Sequence, residues 1–390
     1  MPGRVRSLLR ATWLLLFFSC VLGSLVVEDE LHEGEASILD SVFSLSVHDR
    51  SLVAEDVSAN SILSQHKHHG PESHFKKFSE MTLAYVTPWN NHGYDVVKIF
   101  RGKFTHVSPV WYYLKPRPNH QYVLEGGHDY DKGWIDEVRF FDPIENAGSA
   151  AKIVPRVQFS EWTRDEFIHI LNDADAAQRV VNLMVEEALD KDYDGLVLEM
   201  GGVARYFKGI IRHLADRLHE SSKSLILVIP PYFPDDAHVG FSNDDYSDLV
   251  DAVDGFSLMT YDYGNRMGPG PNSPIEWVQA NIRYLCPDGD DRHKLLVGLN
   301  MYGSDYTSSE GEAVIASQYL ELLEKHNPSI VWSEDDAEHY FNYHDQKGTH
   351  MVWYPTLKSI HDRIALAEEY GTGLSFWEVG QGLDYFYDLL

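Results

Sequence analysis

The sequence predicts an α/β protein: a (β/α)8 TIM barrel with a small α+β insertion between its seventh and eighth strands. Eight short apolar runs recur from Thr82 onward, and amphipathic stretches of helical spacing separate them. No glycine-rich phosphate turn follows the first run, as it would in a doubly wound open sheet; the turn reads Pro88-Trp-Asn-Asn-His-Gly93.

The eight strand candidates are Thr82–Thr87, Phe104–Val110, Ile153–Gln158, Gly195–Met200, Leu225–Ile229, Gly255–Tyr261, Leu295–Met301 and Leu374–Glu378. Their apolar, β-branched and aromatic content suits strands buried on both faces. Helices fit between them. Thr163 and Glu166 have the spacing of a capping box. Val180, Val181, Met184 and Leu189 recur at helical spacing, as do Phe207, Ile210, Ile211, Leu214 and Leu218. Residues 304–370 are too many for one crossover helix. Their aromatic, alternating segments predict the insertion, placed as a wall of the barrel mouth.

Residues 24–78 are polar, acidic and histidine-rich, and read as a loosely ordered N-terminal extension before a barrel over 79–390. His66, His68, His69 and His74 are metal-ligand candidates there, weighed against a solvated linker. Residues 1–23 read as a signal peptide: Arg4, Arg6 and Arg10 precede an apolar run too short to span a bilayer, with Gly23 and Ser24 at the cut. The expectation is a secreted or lysosomal protein without a membrane anchor. Cleavage would remove Cys20 and leave Cys286 as a lone thiol.

A formal charge of −28 makes polyanions, nucleic acid included, poor partners. Aromatic residues make up 13% of the chain, which argues for a large core rather than disorder. There is no phosphate loop, serine elbow or cofactor fingerprint, so no cofactor and no bound metal are expected. His128, Asp129 and Asp131 read as a solvated loop, and His106 as a hydrogen-bonded core histidine.

Barrel chemistry sits at the C-terminal ends of the strands. Tyr193-Asp194-Gly195 opens the fourth strand, and Met259, Tyr261 and Asp262 end the sixth. Gly298, Tyr302 and Gly303 mark the seventh, and Trp377 the eighth. On these motifs, at these separations, the chain resembles glycoside hydrolase family 18, the chitinases, from about Thr82 to Leu390. The resemblance implies binding of N-acetylglucosamine oligosaccharides. The segments Val86–Asn90, Asp254–Tyr263 and Gly380–Leu390 resemble one animal member of that family more closely still, which implies a secretory or lysosomal setting, with a scavenger-type sorting receptor as a further partner and a role in innate immunity.

The resemblance also assigns an Asp-x-x-Asp-x-Asp-x-Glu motif to the fourth strand, its last residue being the general acid. Here Asp194 takes the first position, Val197 the second, Glu199 the third and Gly201 the acid position. Glycine transfers no proton, and loss of a general acid costs about 10²–10⁴ in rate. The third strand also lacks the family's Ser-x-Gly-Gly and ends Gln158-Phe-Ser-Glu-Trp162. The expectation is therefore a sugar-binding protein that is not an enzyme. Two other readings stay open: a weak hydrolase with Asp192 first and Glu199 as acid, roughly 6.6 Å deeper, and a protein-interaction module without a sugar role. Sugar-contact candidates are Glu199, Tyr261, Asp262, Trp377, Tyr302, Tyr85, Trp89 and Trp111; the aromatic ones offer ring faces to pyranose C–H groups. Glu199 is also weighed as a core carboxylate that holds Tyr261, and Met259 as packing.

Overall fold

The computed structural model describes residues 45–140, 150–234, 240–307 and 311–390. The predicted signal peptide and residues 24–44 of the extension lie outside these. Eight parallel strand positions form a closed ring. The first is Thr82–Val86. The second is split into His106–Pro109 and Tyr112–Arg117, and the third into Lys152–Ile153 and Arg156–Phe159. The fourth to eighth are Gly195–Glu199, Ser224–Ile229, Gly255–Leu258, Leu295–Asn300 and Gly373–Trp377. Pairing of the eighth with the first, Thr82 beside Leu374, closes the circle. The splits keep it closed: His106–Pro109 pairs the early third strand, and Tyr112–Arg117 the late one. Pro155, which has no N–H to give, stands at the break in the third strand.

Two aspartates seat neighbouring strands. The Asp194 carboxylate accepts the Ile153 N–H at 2.7 Å, and the Asp254 carboxylate accepts the Leu225 N–H at 2.7 Å. Each precedes the glycine that opens a strand. A Cβ on Gly195 would lie 2.2 Å from the Ser224 carbonyl oxygen, so the strand can start there only without a side chain. The Asp192 frame loses its footing here, because the Asp192 side chain is 90% exposed while Asp194 is built into the sheet.

Inward-facing residues alternate with outward ones. Leu83, Tyr85, Val110, Val154, Val197, Ile226, Val228 and Leu296 fill the barrel. A larger shell lies between sheet and helices. Thr163 caps helix Arg164–Asn172 by accepting the Glu166 N–H at 3.3 Å. Helix Ala174–Asp190 buries Val180, Val181 and Met184, whereas Leu189 is exposed on its last turn. Helix Lys208–His219 buries Ile211, Leu214 and Leu218.

The insertion is a five-stranded antiparallel sheet with helix Ala316–His326. Its strands end at Trp353, earlier than the sequence boundary, and helix Leu357–Tyr370 belongs to the barrel's outer layer. The His350 imidazole bridges two of its carboxylates, with Nδ1 2.8 Å from Asp305 and Nε2 2.9 Å from Asp345. Burial pushes this imidazole down, but the hydrogen bonds to Asp305 and Asp345 outweigh it and raise it. The linked stability is fully present below the ordinary imidazole range and is lost as pH rises through the raised value. Amide exchange over 338–353, corrected for intrinsic rates, should therefore show more protection at pH 6 than at pH 8. His350→Gln should abolish that difference; equal protection in the wild type would refute the linkage.

The expected loose extension is corrected over residues 45–78. Val47, Ala59, Ile62 and Phe78 are buried in the main core. The Val47 N–H donates to Asp388 at 2.6 Å, the Lys77 N–H to the Leu390 carbonyl at 2.7 Å, and His339 Nε2 lies 2.8 Å from the Glu55 carbonyl. The apolar residues are spaced too sparsely among polar ones to show a period, so composition hid a packed segment. Among the described residues no group of three or more His, Cys, Asp or Glu is placed to hold a metal.

Candidate functional site

The mouth of the barrel is built on inward positions at strand ends. Glu199, last in the fourth strand, accepts Arg156 Nη1 at 2.8 Å and Gln158 Nε2 at 3.0 Å. Arg156 Nη2 in turn donates to Gln158 Oε1 at 3.2 Å, closing a triangle. The Arg156 guanidinium stands 5.5 Å from the centre of the Trp377 ring, and Tyr85 leans on the same ring at 5.2 Å. Below them Tyr85 donates to Ser257 at 2.9 Å, and Ser257 to Ser375 at 3.2 Å.

The sixth strand supplies the opposite wall. Thr260 Oγ1 accepts the Gly298 N–H at 3.0 Å and donates to the Gly298 carbonyl at 2.9 Å, which fastens the strand end to the seventh. A Cβ on Gly298 would sit 2.9 Å from the Tyr261 ring, so this glycine is what lets Tyr261 lie against the sheet. Asp262 then turns into the left-handed region at φ 62°. That turn aims its carboxylate at Tyr302, whose hydroxyl donates to it at 2.5 Å, and Asn265 donates to the same oxygen at 3.2 Å. Burial pushes the Tyr261 and Tyr302 hydroxyls well up, so both remain donors. A cleft of about 310 Å³ opens here, lined by Pro231, Phe233, Met259, Tyr261, Asp262, Asn265 and Arg266.

The structure thus brings together Glu199, Tyr261, Asp262, Tyr302, Tyr85 and Trp377. It does not bring Trp111 to them. Val110 faces the barrel interior, so by period two Trp111 faces outward. It is fully buried against Trp134 and donates to the Tyr94 hydroxyl at 2.7 Å. Trp111 is therefore corrected from sugar platform to core residue. Trp89 stands 63% exposed on the turn after the first strand. Glu199 does not serve to hold Tyr261 by a hydrogen bond; its partners are Arg156 and Gln158.

Sequence reasoning missed those two partners. The signal was available: with Val154 inward, Arg156 and Gln158 follow at period two, and a cation at an inward barrel position needs a counter-charge. It also missed Glu378, beside Trp377. This carboxyl is fully buried, and burial pushes it up to about 7 against the Asn90 amide and the Gly380 N–H that it accepts. It ties the first loop to the end of the eighth strand. His106 lies in the core beside the Thr105 hydroxyl, 2.9 Å away, and burial lowers its imidazole to about 4. Asp131 caps helix Lys132–Arg139.

The family description "Glycosyl hydrolases family 18" matches residues 81–382. The chain belongs to glycosyl hydrolase family 18. The barrel of this family 18 protein is like that of a chitinase from Chromobacterium violaceum, with a TM-score of 0.67 and 22% identity over 80% of this chain and 98% of the other. It is also like a family 18 chitinase from Cycas revoluta solved in complex with (GlcNAc)3, with a TM-score of 0.62 and 16% identity over 79% and 97%. Among curated proteins it is 26% identical to a cortical fragment-lytic enzyme of Bacillus subtilis (strain 168) over 226 residues, 54% of this chain and 52% of that one. A di-N-acetylchitobiase of Rattus norvegicus is 26% identical over 174 residues, 37% and 47% of the two chains. The family 18 protein thus spans about half the length of the curated relatives it matches. The expectation of a non-enzyme is overturned by the curated relatives, whose names are those of glycosylases and lytic enzymes. The departures at Val197, Gly201 and the third strand were too narrow a ground for it. A carboxylate still stands at the mouth of this barrel, in Glu199.

Proposed function

We propose that the protein is a glycoside hydrolase that takes N-acetylglucosamine oligosaccharides into the barrel mouth, with Glu199 as the carboxylate at the reacting centre. The observation that carries this is the position of Glu199, held by Arg156 and Gln158 at the strand end beside Trp377. Trp377 packs on a sugar face, while Asp262 and Tyr261 address its polar edge. In the substrate-assisted route the acetamide carbonyl of the sugar attacks its own anomeric carbon. An anionic acceptor then orients the acetamide N–H and stabilises the positive charge that develops. Glu199 fills that role.

Titration with N-acetylglucosamine oligomers of increasing length, assayed together for products, tests the reading. Tryptophan fluorescence should shift on binding, and Trp377→Ala should weaken binding by at least about tenfold, the loss of a buried aromatic contact. An unchanged affinity in Trp377→Ala, or no binding by the wild type, would sink the sugar site.

Delivery through the secretory route to the extracellular space or lysosome belongs to the same proposal, supported by the basic-then-apolar run from Arg4 to Leu25. N-terminal sequencing of secreted protein should read from Ser24. The segments Val86–Asn90, Asp254–Tyr263 and Gly380–Leu390 also resemble the animal chitinase domain-containing proteins, and a scavenger-type sorting receptor as partner rests on that resemblance.

A further inference from the structure

We infer that Glu378 is a positioning residue of the sugar site: it clasps the first loop, residues 88–93, to the end of the eighth strand behind Trp377, and the clasp loosens as pH rises. This rests on the reading of the barrel mouth as a sugar site. Three features carry it. The Glu378 side chain is fully buried and both its oxygens are engaged, Oε1 by the Asn90 amide at 2.5 Å and Oε2 by the Gly380 N–H at 2.9 Å. The two backbones meet with no room for a side chain between them. A Cβ on Gly380 would lie 2.3 Å from the Gly93 nitrogen, and one on Gly93 would lie 3.0 Å from Glu378 Oε2. The clasp also joins the residues that follow two indoles. Trp377 precedes Glu378, and its carbonyl accepts the Met301 N–H at 2.8 Å, so the platform is pinned to the seventh strand just before the clasp begins. Trp89 precedes Asn90 and stands exposed.

The groups around Glu378 set the sign of the pH effect. Helix Asn91–Ile99 brings His92 and Tyr94, with Asp95 near His92; the C-terminal turn Asp384–Leu389 brings Asp384 and Tyr387. His66 and Lys67 share a cavity of about 260 Å³ with Asn90, His92, Gly380 and Asp384. Burial raises the Tyr94 and Tyr387 hydroxyls, which stay protonated across the neutral range. Burial also pushes the Glu378 carboxyl up to about 7, against the Asn90 and Gly380 bonds and the nearby His92. When the loop lifts, that carboxyl meets water and returns to the ordinary carboxylate range. Its support for closure is therefore fully present below the ordinary value and is lost as pH climbs through the raised one. His92, raised by its bond to Asp384, acts in the same direction and needs its own control.

Amide exchange of the full chain, corrected for intrinsic rates, tests this in peptides over 88–93 and 378–382, because the Gly380 N–H is itself one of the clasp bonds. Protection should fall by about tenfold or more from pH 5.5 to pH 8. Glu378→Gln should abolish the fall: Gln does not ionise, and it keeps both bonds once the Asn90 amide turns its oxygen toward it. His92→Gln should leave the fall in place. Tetra-N-acetylchitotetraose at a hundred times its Kd should raise protection of both peptides by about tenfold or more at pH 5.5, since the closed form is the one that presents the platform. The wild-type and sugar measurements stand if Glu378→Gln fails to fold. No fall in the wild type, an unchanged fall in Glu378→Gln, or its loss in His92→Gln would overturn the inference. Sugar binding seen by tryptophan fluorescence with protection unchanged would overturn it too, and leave the sugar site standing. No binding at either pH would overturn the sugar site itself, and the positioning role with it.

Discussion

Glu199→Gln is expected to lower turnover of every cleaved glycoside by about 10²-fold or more, while oligosaccharide affinity changes less than tenfold. The substitution keeps the shape and one acceptor oxygen but removes the charge. Arg156 would then lack its partner 2.8 Å away and would face the positively polarised anomeric carbon uncompensated. The loss belongs in kcat, because the charge on the sugar develops only as the bond breaks. Arg156→Met supplies the control. It removes the cation and leaves Glu199 with Gln158 alone, so it should lower kcat of the folded protein. A purely structural arginine would lower the folded fraction without changing kcat per folded molecule. Equal kcat values for wild type and Glu199→Gln would exclude Glu199 from the reaction.

Arg363→Met is expected to cost about 3–5 kcal/mol of stability, the usual result of orphaning a buried charge. Arg363 is 3% exposed and Glu338 4% exposed, and they meet at 3.2 Å. Arg363 also donates to the carbonyls of Ser273, Ala337, Ser359 and Asp336. Glu338 accepts the Asn272 and Ser273 N–H groups at 3.1 and 2.6 Å. The pair therefore joins the sixth-strand loop, the insertion sheet and the outer helix Leu357–Tyr370. Burial already pushes the Glu338 carboxyl up against Arg363, and without Arg363 it rises further. A carboxyl whose folded value is raised loses stability as pH climbs from its unfolded to its folded value. The deficit should accordingly be smaller in acid than at neutral pH. Urea midpoints at constant m-value measure it. Arg363→Met combined with Glu338→Gln should recover part of the loss; no recovery would show that the carbonyl contacts, not the charge pair, dominate.

The barrel was legible because its strands are nearly uniform apolar runs, a pattern that parallel sheets impose through burial on both faces. The motif residues of the sixth and eighth strands were legible through the resemblance to family 18, which places Tyr261, Asp262 and Trp377 at the C-terminal strand ends. What stayed hidden depended on contacts across the ring. Trp111 looked like Tyr85 until the break at Val110 fixed its parity. The triangle of Arg156, Gln158 and Glu199 joins strands about 40 residues apart in sequence, and no local period announces a partner at that distance. The histidine-rich segment 45–78 gave only its composition. Its order comes from groups contributed by the far end of the chain.

That last dependence sets a schedule for the ribosome. The amides of Val47 and Lys77 find their acceptors in Asp388 and Leu390, and the Tyr385 amide finds the carbonyl of His66. These closures span more than 300 residues, the loop-closure entropy of which is met only by contacts made at the end. Translation at about 5–20 residues per second leaves the early segment exposed for tens of seconds before its partners emerge. Over that interval the apolar side chains of Val47, Ile62 and Phe78 have no native cover, which makes them a surface for chaperones in whichever compartment receives the nascent chain.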